Sequence, residues 1–266
     1  MLLTLKIKND AHIIAERSHQ TQTYLALKDY TYQAGDVIEL AITSFPAFVW
    51  IQVDEAIEPS LVYMTNATWE YPVILDDLLR LAYSPKIFTG KKHYLRAWLP
   101  TREELATRRN LARNAHDQKE DSQAYPHASA NVETRNDSTF FARNAIDGVL
   151  ANEDHGPYPY QSWGINQRKD AEITIDFGRE VILDQLALVL RGDYPHDSYW
   201  TQVTVEFSGG QTLELATTNE LDQQFFEMEP IQTTFVKLKD LIKNEDESPF
   251  PALTQIEAYG VEVTKD

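Results

Sequence analysis

The chain has 266 residues, no cysteine, 42% hydrophobic residues and a formal net charge of −17. The absence of cysteine excludes disulfides and thiolate metal sites, and no stretch approaches the roughly 20 apolar residues of a membrane-spanning helix. Residues 1–108 carry 11 Lys/Arg against 13 Asp/Glu while residues 109–266 carry 13 against 28, and so acidic a second part repels a phosphate backbone and excludes nucleic acid as a partner.

An acidic surface suits cations or neutral polyols and also serves solubility. The length fits two domains or one large sandwich. Aromatic residues make up 11%, a content that serves strand packing as well as flat apolar ligands. The opening MetLeuLeuThrLeuLysIleLysAsn turns polar too soon for a signal peptide. If Met1 is the native start, the expected location is the cytoplasm.

In chain order, residues 2–8, 12–17 and 23–28 read as strands. Residues 36–43, AspValIleGluLeuAlaIleThr, alternate at period 2 after a turn at Gly35, and 48–53, 61–64, 68–73 and 93–99 follow as further strands. Residues 75–83 read as a short helix. Many short strands with turn punctuation predict an antiparallel sandwich over 1–108. This part holds no catalytic motif; His12, His19 and His93 are isolated and read as surface or core residues. ThrArgGluGlu at 101–104 is a capping box, predicting a helix from 102 to about 112 that joins the domains. The polar run 116–123 reads as a surface loop, so the division falls within 101–124.

From residue 125 the pattern changes. Strands are predicted at 171–177, 182–190, 201–207, 212–217, 233–239 and 253–263, with little helical periodicity, so residues 109–266 also read as an all-β antiparallel domain. Between Phe141 and Gly164 a helix-like step, AlaArgAsnAlaIle, runs into Asp147–Gly148, then a long polar loop, then SerTrpGly. Gly148 is expected at positive φ, which glycine adopts at little cost.

AsnLeuAla at 110–112, AlaSerAlaAsnValGluThr at 128–134, AlaArgAsnAlaIleAspGly at 142–148, SerTrpGly at 162–164, AlaGluIleThrIleAspPheGly at 171–178, ThrValGluPheSerGlyGly at 204–210 and ThrGlnIleGluAlaTyrGly at 254–260 stand in one order. In that order they resemble the discoidin-like, coagulation-factor C-type domains, a group of galactose-binding-like β-sandwiches. The whole chain is also similar to a bacterial group that joins such a domain to an N-terminal β domain. The resemblance implies two antiparallel β-sandwich domains, 1–108 and 109–266, the second a galactose-binding-like jelly roll. The stretch from Gly148 to Trp163 is longer than the family's usual loop.

The resemblance further implies one structural Ca²⁺ at the turn. The matching positions are the carbonyls of Arg143 and Asn144, the side chain of Asp147, Ser162, and Glu257 near the C-terminus. Calcium takes six to eight hard oxygens, and tight loops supply carbonyls; alternatively Asp147 merely caps its turn.

It also implies sugar binding by loops at one end of the second sandwich. Aromatic faces stack on sugar C–H surfaces, while Arg, His and carboxylates meet hydroxyls. The residues with that chemistry are His155, Tyr158 and Tyr160 in one loop and Arg191, Asp193, Tyr194, His196, Asp197, Tyr199 and Trp200 in the other. Arg191, His196 and His155 are expected to converge on one polar pocket walled by Tyr194 or Trp200; alternatively Trp200 is a core anchor, Arg191 forms a structural ion pair with Asp193 or Asp197, and Tyr158–Pro159–Tyr160 packs a surface loop. Trp163 is expected in the core. The function expected is non-catalytic carbohydrate binding, with possible partners a neutral sugar or oligosaccharide and a second copy of the chain. The alternatives are a protein–protein interaction module and a metal-dependent glycan hydrolase, the latter on the adjacent pairs Asp154–His155 and His196–Asp197.

Overall fold

The computed structural model describes residues 1–193 and 197–263. It is all-β, with every strand pair antiparallel. The first strands are β1 Leu3–Asn9, β2 His12–His19, β3 Gln22–Leu27, β4 Asp36–Ile42, β5 Ala47–Gln52, β6 Ser60–Met64, β7 Thr68–Pro72 and β8 His93–Trp98. They form a four-stranded sheet, β2-β1-β4-β7, facing a second made of β6-β5-β8-β3. Leu3, Leu5, Ile7, Ile38 and Leu40 from one sheet and Val49, Ile51, Val62 and Leu95 from the other share one buried core. Alternation is what permits this, because successive side chains of a strand point to opposite faces. His12 and His19 lie exposed, and His93 is buried with Nε2 2.8 Å from the Tyr30 carbonyl.

The expected helix over 75–83 is a single 3₁₀ turn, Leu79–Ala82. Asp76 Oδ1 accepts from the backbone N–H of Leu78 and Leu79, and Leu78 is 73% exposed, so no apolar face holds a longer helix in place. The capping box at Thr101 is present, but helix α1 spans only Arg102–Ala106. The chain then leaves as β9, Arg109–Asn110, which pairs with the last strand; that pairing ends the helix early.

The run 116–123 is not simply a surface loop. His116 and Asp117 are buried, and Ala115 and Ala124 enter the first core. Strand β10, Ala124–Tyr125, adds itself to the edge of the β6-β5-β8-β3 sheet beside β6. Asp117 then anchors the return: His127 Nδ1 lies 2.9 Å from its Oδ1, and the Ala128 N–H donates to its Oδ2.

The remaining strands are β11 His127–Ala130, β12 Trp163–Gly164, β13 Ile173–Leu190, β14 Trp200–Phe207, β15 Thr212–Ala216, β16 Gln224–Lys243 and β17 Ala252–Glu262. They form one sheet in the order β12-β17-β13-β16-β14-β15, with β11 on β13 and β9 on β17. The separate strands expected at 171–177 and 182–190 are one long strand, β13, whose pairing with β16 shifts register between Asp176 and Val181 and again between Leu183 and Gln185. Such irregularities bend a sheet, and the bent sheet surrounds a second core containing Ile173, Phe177, Leu186, Val205, Leu238 and Ile256. Trp163 is buried there as expected, its indole N–H donating to the Val132 carbonyl. No helix among the described residues is long and apolar enough to cross a membrane.

Candidate functional site

At the end of β13 the chain turns at Arg191–Gly192–Asp193. Asn152, in the middle of the long 149–161 loop, ties that loop to the turn. Its Nδ2 donates to the carbonyls of Leu190 and Leu221, both at 2.7 Å, and its own carbonyl accepts from the Gly192 N–H. This clamp carries His155 to the same end of the sheet as Arg191.

There Asp193 stands between the two. Its Oδ1 lies 2.7 Å from Arg191 Nε and its Oδ2 lies 2.6 Å from His155 Nδ1. The Arg191 contact is close but off the N–H axis, a charge contact rather than an aligned hydrogen bond. A terminal nitrogen of Arg191 donates to the Phe250 carbonyl at 3.1 Å. Arg191 is 4% exposed and Asp193 5%, whereas the His155 side chain is 39% exposed. Burial holds the Arg191 guanidinium below its ordinary range, opposed by the charges of Asp193 and Asp154.

Arg191 and His155 line a cleft of about 360 Å³ together with Phe140, Phe250, Asn166 and Gln167. That volume lies at the small end of ligand pockets, and a few convergent polar groups beside an aromatic wall are what such pockets hold. Phe250, 41% exposed, supplies the aromatic face; it stands between two prolines, Pro249 and Pro251, in a stretch with no strand or helix pattern to mark it.

The other expected residues fall differently. Trp200, expected as a wall, is 1% exposed with its ring centroid 6.4 Å from that of Trp163. As the inward-facing first residue of β14 it belongs to the core and cannot meet a ligand. Tyr158 and Tyr160 are partly exposed but do not line the cleft; the Tyr158 N–H donates to the Leu81 carbonyl, so their segment lies against the 3₁₀ turn Leu79–Ala82. Asp197 accepts from Ser248 Oγ and faces a neighbouring cleft of about 240 Å³ that shares Arg191. Tyr194 and His196 lie outside the described residues.

Asp154, His155 and Asp193 bring ligand atoms within 4.8 Å of one another. The Arg191 guanidinium on Asp193 already supplies the positive charge that a cation would bring, so this cluster reads as an ion-pair network rather than a metal centre.

The expected calcium donors do not fit a cation. The Arg143 guanidinium is buried beside the turn, 4.5 Å over the Tyr83 ring, with Nε donating to the Asp117 carbonyl, and its charge acts on Asp147. The Asn144 carbonyl, and both oxygens of Asp147, accept hydrogen bonds from glutamine amides. The Ser162 carbonyl accepts from Asn144 Nδ2. Glu257 is directed elsewhere, accepting from Gln223 Nε2 and the Tyr259 hydroxyl. Burial pushes the Asp147 carboxyl up to about 6, against the pull of the Arg143 charge and the amide donors.

No family model matches the chain, and no curated protein matches it. Among solved structures it is similar to a chitosan-binding module of a chitosanase/glucanase from Paenibacillus sp. IK-5, at 17% identity and a TM-score of 0.39, over 57% of this chain and 99% of that one. It is similar to the family 32 carbohydrate-binding module of C. perfringens NanJ in complex with galactose, at 16% identity and 0.38, over 50% and 91%. A Streptococcus pneumoniae fucose binding module matches at 14% identity and 0.41, over 58% and 99%. Values this low carry no residue-by-residue correspondence.

Proposed function

We propose that the chain is a non-catalytic carbohydrate-binding protein whose site is the cleft at the end of β13. The observation that supports this most is the Asp193 bridge, which presents Arg191 and His155 together beside the exposed ring of Phe250. A guanidinium and an imidazole meet sugar hydroxyls from one side while an aromatic face packs on the apolar side of the ring. Both polar groups are held before any ligand arrives, which reduces the ordering cost of binding. A cleft of about 360 Å³ suits one or two sugar units rather than a long chain. A glycan array probed with the intact protein tests the proposal. Signal for neutral sugars, lost in Phe250→Ala, is expected; an array without signal at any glycan contradicts it.

A protein partner is the second reading. It is favoured by the exposed leucines Leu78, Leu79 and Leu81 beside an apolar cleft containing Ile74 and Phe141. Exposed apolar clusters of this kind mark interaction surfaces, and a pull-down impaired by Leu78→Asp but not by Phe250→Ala would favour it.

A further inference from the structure

The turn at Asn144–Gly148 is closed by one neutral side chain. Gln255, on β17, donates through Nε2 to the Asn144 carbonyl at 2.5 Å and to Asp147 Oδ1 at 2.8 Å, while its Oε1 accepts from the Gly148 N–H at 3.0 Å. Gln161 completes the set, its Nε2 donating to Asp147 Oδ2 at 2.6 Å. Asn144, Asp147, Gln161 and Gln255 are all buried.

We propose that the Gln255 amide stands where a divalent cation would otherwise gather this turn, so that the loop is held without metal. A cation at such a place collects backbone carbonyl and carboxylate oxygens and fixes them to the sheet. Gln255 performs each of these tasks with three of the four hydrogen bonds its amide can make. The Arg143 guanidinium is buried next in sequence to Asn144 and interacts electrostatically with Asp147, so the local positive charge is already in place. Two buried oxygens near the turn, Gln161 Oε1 and Ser162 Oγ, have no hydrogen-bond partner within the protein. Both are neutral side-chain oxygens, and the only carboxylate of the turn, Asp147, is already engaged at both oxygens by glutamine amides.

Thermal unfolding of the full chain in excess EDTA and in millimolar CaCl₂ tests this, alongside the variant Gln255→Glu. The parent is expected to have the same midpoint in both conditions and to show no bound calcium by native mass spectrometry. Gln255→Glu sets a second carboxylate against Asp147; it is expected to melt below the parent in EDTA and to rise by about 5 °C when calcium is added, as a ligand specific for the native state requires. A parent midpoint that climbs with Ca²⁺ and falls in EDTA overturns the proposal, whatever the variant does. A folded Gln255→Glu protein indifferent to calcium also overturns it, because residue 255 would then not occupy a cation's position.

Discussion

Arg191 and His155 are held by opposite oxygens of one carboxylate, Asp193, at 2.7 and 2.6 Å. The two nitrogen donors of the site are therefore not equivalent. Arg191 is buried, and Arg191→Ala would leave the buried Asp193 without its guanidinium, a change that costs on the order of 3 kcal/mol of stability. His155 is half-exposed, so His155→Ala is expected to leave the thermal midpoint nearly unchanged while weakening sugar affinity roughly 10-fold, the worth of one hydrogen bond. Calorimetric titration of both variants checks the contrast; a large loss of stability in His155→Ala would mean that the imidazole is structural.

Phe250 is expected to carry the apolar half of recognition. Its ring is 41% exposed, so Phe250→Ala removes little core packing. Affinity should fall by about 1 kcal/mol or more, and Phe250→Trp should keep or improve it, since a larger face offers more stacking area. Equal affinities for parent and Phe250→Ala would place the ligand elsewhere.

Asn152 shapes the site without lining it. Asn152→Ala removes both Nδ2 hydrogen bonds and leaves the buried Leu190 carbonyl without that donor, a loss of about 1–3 kcal/mol. Released from the turn, the 149–161 loop no longer holds His155 near Asp193, so affinity should fall together with stability. A double-mutant cycle with His155→Ala checks this: the two losses in affinity should be far from additive.

His116 makes stability depend on pH. It is buried, accepts the Val53 N–H at Nε2 and lies 3.0 Å from Ser60 Oγ at Nδ1. Burial, aided by the Arg143 charge, pushes its pKa down to about 3. The folded state then binds fewer protons than the unfolded state between that value and the ordinary value of 6.5. Its contribution is complete above the unfolded pKa and is lost as the pH falls toward the folded one. Urea unfolding should show a loss of about 3 kcal/mol from this group between about pH 7 and pH 4. His116→Gln keeps an acceptor for Val53 without the titration, so its acid loss should be smaller; parallel curves for variant and parent would contradict this.

Much of the fold was legible because period-2 alternation reports burial directly. Asp36–Ile42 was readable as a strand from its pattern alone, and Trp163 as core. Where the sequence misled, tertiary pairing had overridden a local signal. The capping box at Thr101 predicts a helix start but not its end, which the pairing of Asn110 with Tyr259 determines. The polarity of 116–123 concealed His116 and Asp117, whose side chains are satisfied by distant partners at Ser60 and His127.

In the site, the sequence places Arg191, His155 and His196 on loops of one end, of which Arg191 and His155 meet at Asp193 and His196 lies outside the described residues; Trp200 reads equally as a wall or a core anchor until its inward direction on β14 decides for the core. Gln255 and Glu257 share strand parity, so the sequence could not tell which one meets the 144–148 turn. The register shift between Val189 and Leu190 in the β13–β17 pairing lies beside Gln255, and it is Gln255 that reaches the turn.

The most direct measurement is isothermal titration of the intact protein, and of its His155→Ala and Phe250→Ala variants, with the neutral sugars that score on a glycan array. Saturable binding of one sugar site per chain, weakened in both variants while their thermal midpoints hold, is the predicted result. Sugar binding that survives both substitutions unchanged, or no binding by the parent at millimolar sugar, would contradict a carbohydrate site at the end of β13.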